Sequence, residues 1–259
     1  FEVEAGERVA LLGANGAGKT TLLRCLLGLV PFEGEVRVDG LDAVREGVDA
    51  RRRIGYVPQR APVSDLPVGE FVTLVAGLRG VPVAKVARRL GGLGLDLERE
   101  ASKPLRALSG GMLQKALLAL VLSNGARVLL LDEPTGNLDP AARAGFLSAL
   151  EEVDPGTTVI LASHRLSDVQ AVARRILVLH EGGIAFDGSV ADVQERAPGI
   201  WAAGARTEEE LFDRMLERIV REESEGEGRG AQPGSGRTAV TETPTPVADA
   251  DEPADRGAA

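Results

Sequence analysis

The sequence is poor in cysteine, histidine, lysine and aromatic residues. Cys25 is its single cysteine, so no internal disulfide and no cysteine metal cluster can form. A small buried hydrophobe is the expected role of Cys25. His164 and His180 are the only histidines, which excludes a His-rich metal site. Lysine stands only at 19, 85, 103 and 115, against 26 arginines. A GC-rich genome or a salt-adapted host explains that bias without any functional meaning. No apolar run approaches the ~20 residues that span a bilayer, and no secretory signal is visible. The chain opens at Phe1, without Met, inside a strand-like pattern, so a preceding N-terminal piece is expected.

Charge is unevenly placed. The formal total is −9. From Ala205 to Ala259 there are 14 acidic and 7 basic residues, net −7, which leaves Phe1–Gly204 at −2. Neither part carries the basic footprint of a general nucleic-acid binder.

Short apolar runs alternate with helical patterns. "RVALLG" (8–13) reads as a buried strand that stops at Gly13, and "KTTLLRCLLGLV" reads as the helix after it. Further strand-like runs are 35–40, 54–59, 127–133, 157–164 and 175–188, the last a hairpin turning at Gly182-Gly183. Helical patterns cover about 67–79, 83–93, 110–123, 140–152 and 166–173. Strand, glycine loop, helix and later buried strands ending in polar residues indicate an α/β sheet. Such sheets bind ligands at the carboxyl ends of their strands. Residues 60–125 read as a helical insertion. "TEEELFDRMLERIVREE" (207–223) is a separate amphipathic helix, with Leu211, Phe212, Met215, Leu216, Ile219 and Val220 on one stripe and capping-box spacing at Thr207 and Glu210. Beyond it the acidic tail, 224–259, holds almost no bulky apolar residue, and disorder is expected there. His180 and Trp201 are expected to serve packing.

Gly13-Ala14-Asn15-Gly16-Ala17-Gly18-Lys19-Thr20 fits G-x-x-x-x-G-K-[ST], and Thr21 follows. Glycines let the backbone curl so that several N–H groups face phosphate oxygens, and the helix start adds its positive end. Lys19 would reach the β/γ-phosphates and the Thr20 hydroxyl would bind Mg²⁺. The flanking strand and helix make a chance turn a poor alternative. "VLLLDEP" (128–134) is a buried strand delivering two carboxylates. Asp132 can bind Mg²⁺ directly or through water, and Glu133 can accept a proton from an attacking water. Gln59, after "IGYVP", could touch Mg²⁺ or that water. His164 closes "TTVILASH", where a neutral imidazole could hold the γ-phosphate or orient Glu133. Taken singly, a Gln after Pro and a His at a strand end are weak signals. A second anion grip stands at "LSGGMLQK" (108–115), where Ser109, Gly110 and Gly111 precede an apolar helix.

In order, the set is GANGAGKTT, YVPQ, LSGGM, LLLDEP, GNLD and ASH. It resembles the ATP-binding-cassette (ABC) ATPases over about residues 1–200: Walker A, Q-loop, signature, Walker B, D-loop and H-switch. The resemblance implies a P-loop NTPase sheet core with a helical signature subdomain, the ABC ATPase fold. It also implies a domain over 1–204, with the helical part at about 60–125, and ATP with Mg²⁺ as ligands. Two cassettes of the family pack head to tail, so Ser109, Gly110 and Gly111 would grip the γ-phosphate held by a partner cassette, identical or paralogous. Asp139, in the Asn137-Leu138-Asp139 segment, would link the two sites across that interface. Glu133 would polarise the water, with His164 and Gln59 beside it. Met112 stands where many members have Gln, and GNLD replaces the commoner SALD. The adenine-stacking aromatic lies well upstream of Walker A in the family, and Phe1 is too close to Gly13 to take that role.

The resemblance further implies the ATPase subunit of a membrane transporter, peripheral on the inner face of the cell membrane. Its permease would be a separate integral membrane protein, whose coupling helix would meet the segment after Gln59. "YVPQRAPVSDLPVGEFV" is similar to manganese/zinc uptake ATPases. "LSGGMLQK", "LLLDEPTGNLDP" and "SHRLSDVQAVARR" are similar to export-type and copper-processing cassettes, including those that help assemble nitrous-oxide reductase. The second match covers more residues. A soluble ABC ATPase of an assembly system, such as the iron–sulfur type, is the rival.

Overall fold

The computed structural model of the chain describes residues 1–196 and 208–227, with the side chains of the last helix described over 212–221. The expected packing of Trp201, the Thr207–Glu210 capping box, the Leu211 side chain and the tail from 228 onward lie outside these residues.

The chain opens into β1 (Arg8–Leu12), the glycine loop and α1 (Lys19–Leu26). A small hairpin follows, β2 (Arg37–Val38) with β3 (Leu41–Asp42), then α2 (Gly47–Arg53) and β4 (Ile54–Val57). The run at 35–40 thus pairs over two residues only. The helical region holds α3 (Val68–Leu78), α4 (Val83–Gly92), the one-turn α5 (Leu97–Glu100) and α6 (Gly110–Ser123). Then come β5 (Val128–Asp132), α7 (Pro140–Glu151), β6 (Thr158–Ala162), α8 (Leu166–Val172), β7 (Arg175–His180), β8 (Gly183–Ser189), α9 (Val190–Arg196) and α10 (Glu208–Glu227).

Six strands form one sheet in the order β4-β5-β6-β1-β7-β8. The first five run parallel and β8 is antiparallel to β7. Their apolar runs are continuous because both faces are covered, as parallel sheets require. The register sets Val57 beside Leu131 and Asp132 beside Ala162. The carboxyl ends of the strands therefore share one edge.

Helix α6 is apolar nearly all round and buried along most of its length, as a helix enclosed by its neighbours must be. It lies on β4 at Gly55, where a β-carbon would come within 2.8 Å of the Val121 side chain. Residues 68–123 thereby stay anchored to the sheet edge.

The hairpin between β7 and β8 turns at Glu181-Gly182, both with positive φ (48° and 81°), one residue earlier than expected. Gly183 is already paired with His180. The two left-handed residues suit the tight turn that matches strand twist. Short polar helices α2 and α9 were not expected, because seven residues show too few repeats of a 3.6-residue period.

Phe212, Met215, Leu216 and Ile219 of α10 are buried against Ala10, Leu12, Ile176, Val178, Phe186 and Val193. The helix docks its stripe on the sheet and runs to Glu227, past the expected end at 223. Glutamates at 222, 223, 225 and 227 are good helix formers and need no apolar partner to extend it. Among the described residues no helix is long and apolar enough to cross a membrane. Met215→Ala and Ile219→Ala should each cost about 2–4 kcal/mol by denaturant unfolding, while Glu217→Ala, on the exposed face, should stay within about 0.5 kcal/mol.

Candidate active site

The loop between β1 and α1 is shaped by its glycines. A β-carbon on Gly13 would sit 2.6 Å from the Leu179 carbonyl, so the loop passes too close to β7 for any side chain. Gly16 and Gly18 have φ of 85° and 103°, in the left-handed region that other residues enter at a cost. Ala17 N–H donates to the Ala14 carbonyl at 3.1 Å. The N–H groups of Asn15, Gly16 and Gly18 have no backbone partner among the described residues. Together with the first N–H groups of α1 they form a cradle for an anion.

Lys19 folds back over this loop. Its Nζ donates to the Gly13 carbonyl at 2.6 Å and to the Ala14 carbonyl at 3.1 Å. Burial pulls its pKa below the ordinary lysine value, against the opposing pull of Glu133 and Asp132. The ammonium thus sits at the mouth of the cradle on weak neutral acceptors, which a phosphate can replace.

Thr20 Oγ1 donates to Asp132 Oδ2 at 2.8 Å. Asp132 is 1% exposed, and burial raises its pKa from the ordinary aspartate value although Thr20 and Lys19 oppose the shift. A buried carboxylate held mainly by one hydroxyl, with a second oxygen donor beside it, fits a hard divalent cation. Thr20 and Asp132 could hold Mg²⁺ here. Gln59 lies on the exposed loop just past β4, at the same sheet edge, and makes no hydrogen bond to either of them among the described residues.

Glu133 follows at the tip of β5. Its φ is +49°, a strained conformation for a non-glycine residue that costs about 1–2 kcal/mol. Its N–H donates to the Ala162 carbonyl at 2.9 Å, and its own carbonyl accepts from Gly136. The turn aims its carboxylate at β6, where His164 Nδ1 lies 2.8 Å from Glu133 Oε2. Glu133 is largely shielded and His164 is 41% exposed. The carboxylate can hold a water as base while the imidazole faces a ligand.

The second grip is a separate assembly. Ser109 caps α6, its Oγ accepting from Met112 N–H at 3.2 Å. Gly111 lies against Asn137, whose carbonyl would be 2.6 Å from a β-carbon there. Gln114 Nε2 donates to the Pro134 carbonyl at 3.2 Å, and Lys115 pairs with Asp139 at 2.9 Å. Asp139 also caps α7 through Ala142 N–H, and that bond, with Lys115, holds its pKa below the usual carboxylate value. Among the described residues no hydrogen bond or ion pair joins 109–115 to 13–21. The structure thus brings Lys19, Thr20, Asp132, Glu133 and His164 together, and sets Gly110 and Gly111 against Asn137 and Lys115 on Asp139 instead, while Ser109 bonds within its own helix turn.

Sequence reading missed a buried cluster behind Glu133. Asp168 is fully buried and accepts from Thr135 Oγ1 and, at 2.6 Å, from Arg143 Nε. Only an acid in the first turn of an amphipathic helix hinted at it, and that is an ordinary surface signal.

Comparison with known proteins agrees with this geometry. The ABC transporter family model matches residues 1–136. The chain is 38% identical over 200 residues, 75% of its length, to "ATP-binding cassette sub-family A member 7" of Rattus norvegicus, of which it spans 9%. It is 37% identical over 188 residues, 70% of its length, to "Nod factor export ATP-binding protein I" of Ralstonia nicotianae, of which it spans 58%. A solved dimeric ATP-binding cassette in a post-hydrolysis state, bound to ADP and Pi, superposes with TM-score 0.65 at 28% identity, covering 73% of this chain and 88% of that one.

The raised Asp132 pKa has a testable sign. The folded chain keeps this proton to higher pH than the unfolded chain, so its contribution to stability is present at acid pH and lost as pH rises past the usual carboxylate range. Without magnesium, Asp132→Asn should raise the denaturation midpoint at pH 7. The gain should shrink towards pH 4, and Mg-ATP binding should be lost.

Proposed function

Because this chain belongs to the ABC transporter family, we propose that it is the ATP-binding and ATP-hydrolysing subunit of a transporter whose permease is a separate membrane protein. The observation that carries the reading is the line of Lys19, Thr20, Asp132, Glu133 and His164 along one sheet edge. The loop N–H groups and Lys19 bind the phosphates, with Gly13, Asn15, Gly16, Gly18, Thr20 and Thr21 as the lining. Thr20 and Asp132, with Gln59 on the neighbouring loop, would hold Mg²⁺, which when bound would neutralise phosphate charge. Glu133 accepts a proton from water as that water attacks the γ-phosphorus in line, and the bond to the ADP oxygen breaks. His164 orients Glu133 and donates to the γ-phosphate. Positive groups placed before the reaction stabilise the charge that develops.

Ser109, Gly110 and Gly111 serve a partner cassette's nucleotide in this proposal. Their separation from the glycine loop supports it, as does the dimeric cassette among the structural relatives. ATP would then join two cassettes and hydrolysis would release them. Glu133→Gln should keep ATP binding, lower turnover by about 10³-fold and trap an ATP-dependent dimer. Ser109→Arg in that background should abolish the dimer. Mass in solution with Mg-ATP and with Mg-ADP reads the result, and a monomer under both conditions despite bound ATP would refute the shared site.

A groove of about 280 Å³ opens beside the Gln59 loop, lined by Tyr56, Pro58, Pro62, Phe71, Val75 and Leu117 among others. On the same helix, α3, Leu74 and Leu78 stand 55% and 78% exposed. This apolar groove suits a short helix of the permease. Cargo export, or a copper-processing system, is the cargo reading favoured by the signature and Walker B segments, and the name of the Ralstonia relative agrees with export. Manganese/zinc uptake, or a soluble assembly ATPase, is the alternative. Leu78→Asp should leave basal ATP hydrolysis unchanged and lose co-purification with an integral membrane protein. Recovery of a soluble scaffold instead would favour the assembly reading.

A further inference from the structure

We propose that Asp168 is a positioning residue that sets the geometry of the Glu133–His164 pair through Thr135 and Arg143. The inference rests on reading that pair as the reacting groups.

The cluster lies behind the pair and touches both of its arms. One arm leaves β5: Glu133 is followed two residues later by Thr135, which is fully buried and whose hydroxyl donates to Asp168 Oδ2. The other arm leaves β6: His164 is followed four residues later by Asp168 itself. The chain between is held tightly. Ser163 Oγ accepts from Arg165 N–H at 3.0 Å, and Asp168 N–H donates to the Arg165 carbonyl at 3.1 Å. Arg143, from the first turns of α7, completes the cluster. Its Nε donates to Asp168 Oδ1 at 2.6 Å and its Nη2 to Ser167 Oγ at 2.5 Å.

One carboxylate therefore ties together the segment after Glu133, the segment after His164 and helix α7, which Asp139 caps. A fully buried carboxylate is expensive unless each oxygen is satisfied, and here each oxygen has a different donor on a different segment. Moving either arm costs a charged hydrogen bond. The strained φ of Glu133 needs such a surround, since a left-handed glutamate relaxes unless its neighbours hold it. The Glu133 N–H bond to Ala162 fixes one side of that turn, and Thr135 bound to Asp168 fixes the other.

Asp168→Asn keeps the shape, and removes the charge that holds Arg143. In the full chain it should lower kcat for ATP about tenfold with KM unchanged, because small displacements of reacting groups are costly. In a His164→Ala background the same change should cost less than about twofold, since residues acting as one unit are not additive. Thr135→Val should reproduce the loss of kcat and lower the thermal midpoint, because it leaves one buried oxygen of Asp168 without its donor, and Thr135→Ser should restore both, with kcat and KM read well below either midpoint. This pair carries the test if Asp168→Asn fails to fold. Unchanged kcat in folded Asp168→Asn and Thr135→Val, or full additivity with a damaging His164→Ala, overturns the positioning role alone. If His164→Ala itself leaves turnover intact, the reading of the pair falls, and this inference falls with it.

Discussion

Parallel pairing of β4, β5, β6, β1 and β7 brings five strand ends to one edge of the sheet, and the chemistry depends on that register. Asp132 sits opposite Ala162, so the residues just past them, Glu133 and His164, can meet at 2.8 Å. Thr20 reaches Asp132 because β1 is next to β6, one strand from β5. A slip of one residue in β5 would turn Asp132 to the other face of the sheet. The continuous apolar runs of these strands, buried on both sides, hold the register.

The carboxylates at this edge are kept at a cost. Asp132 is buried with a hydroxyl as its nearest donor, and Glu133 holds a left-handed backbone. Sites that must receive a charged ligand keep such unfavourable groups, because the ligand offsets them when it binds. The remainder of the fold supplies the margin. Helix α6 is buried under the helical region, and α10 seals the opposite part of the sheet over β1, β7 and β8. Among the described residues no hydrogen bond or ion pair joins either helix to Lys19, Asp132 or Glu133.

The second grip follows another logic. Gly111 packed on Asn137, Gln114 bound to Pro134 and Lys115 paired with Asp139 make one unit of two segments that are far apart in sequence. That unit begins one residue after Glu133, at Pro134, on one side and carries Ser109 on the other. Three contacts therefore join the chain just past β5 to the first turns of α6.

By itself the sequence determined what is local. Glycine spacing, a lysine and a threonine at a helix start, and two acids after an apolar run each announce their chemistry within a few residues, because backbone conformation and burial there are decided by neighbours in the chain. The long helices were legible for the same reason: several turns of period are present, as in 110–123. Tertiary structure alone decided strand order, since nothing in 8–12 says that β6 and β7 will flank it. It also decided Asp168. An aspartate in "LSDVQ" reads as a solvated first-turn acid, and it is buried only because Thr135 and Arg143 arrive from 33 and 25 residues away. The same holds for Lys115 and Asp139, whose pairing crosses 24 residues. Charge pairs between distant segments leave no periodic trace in the chain, and packing alone brings them within reach.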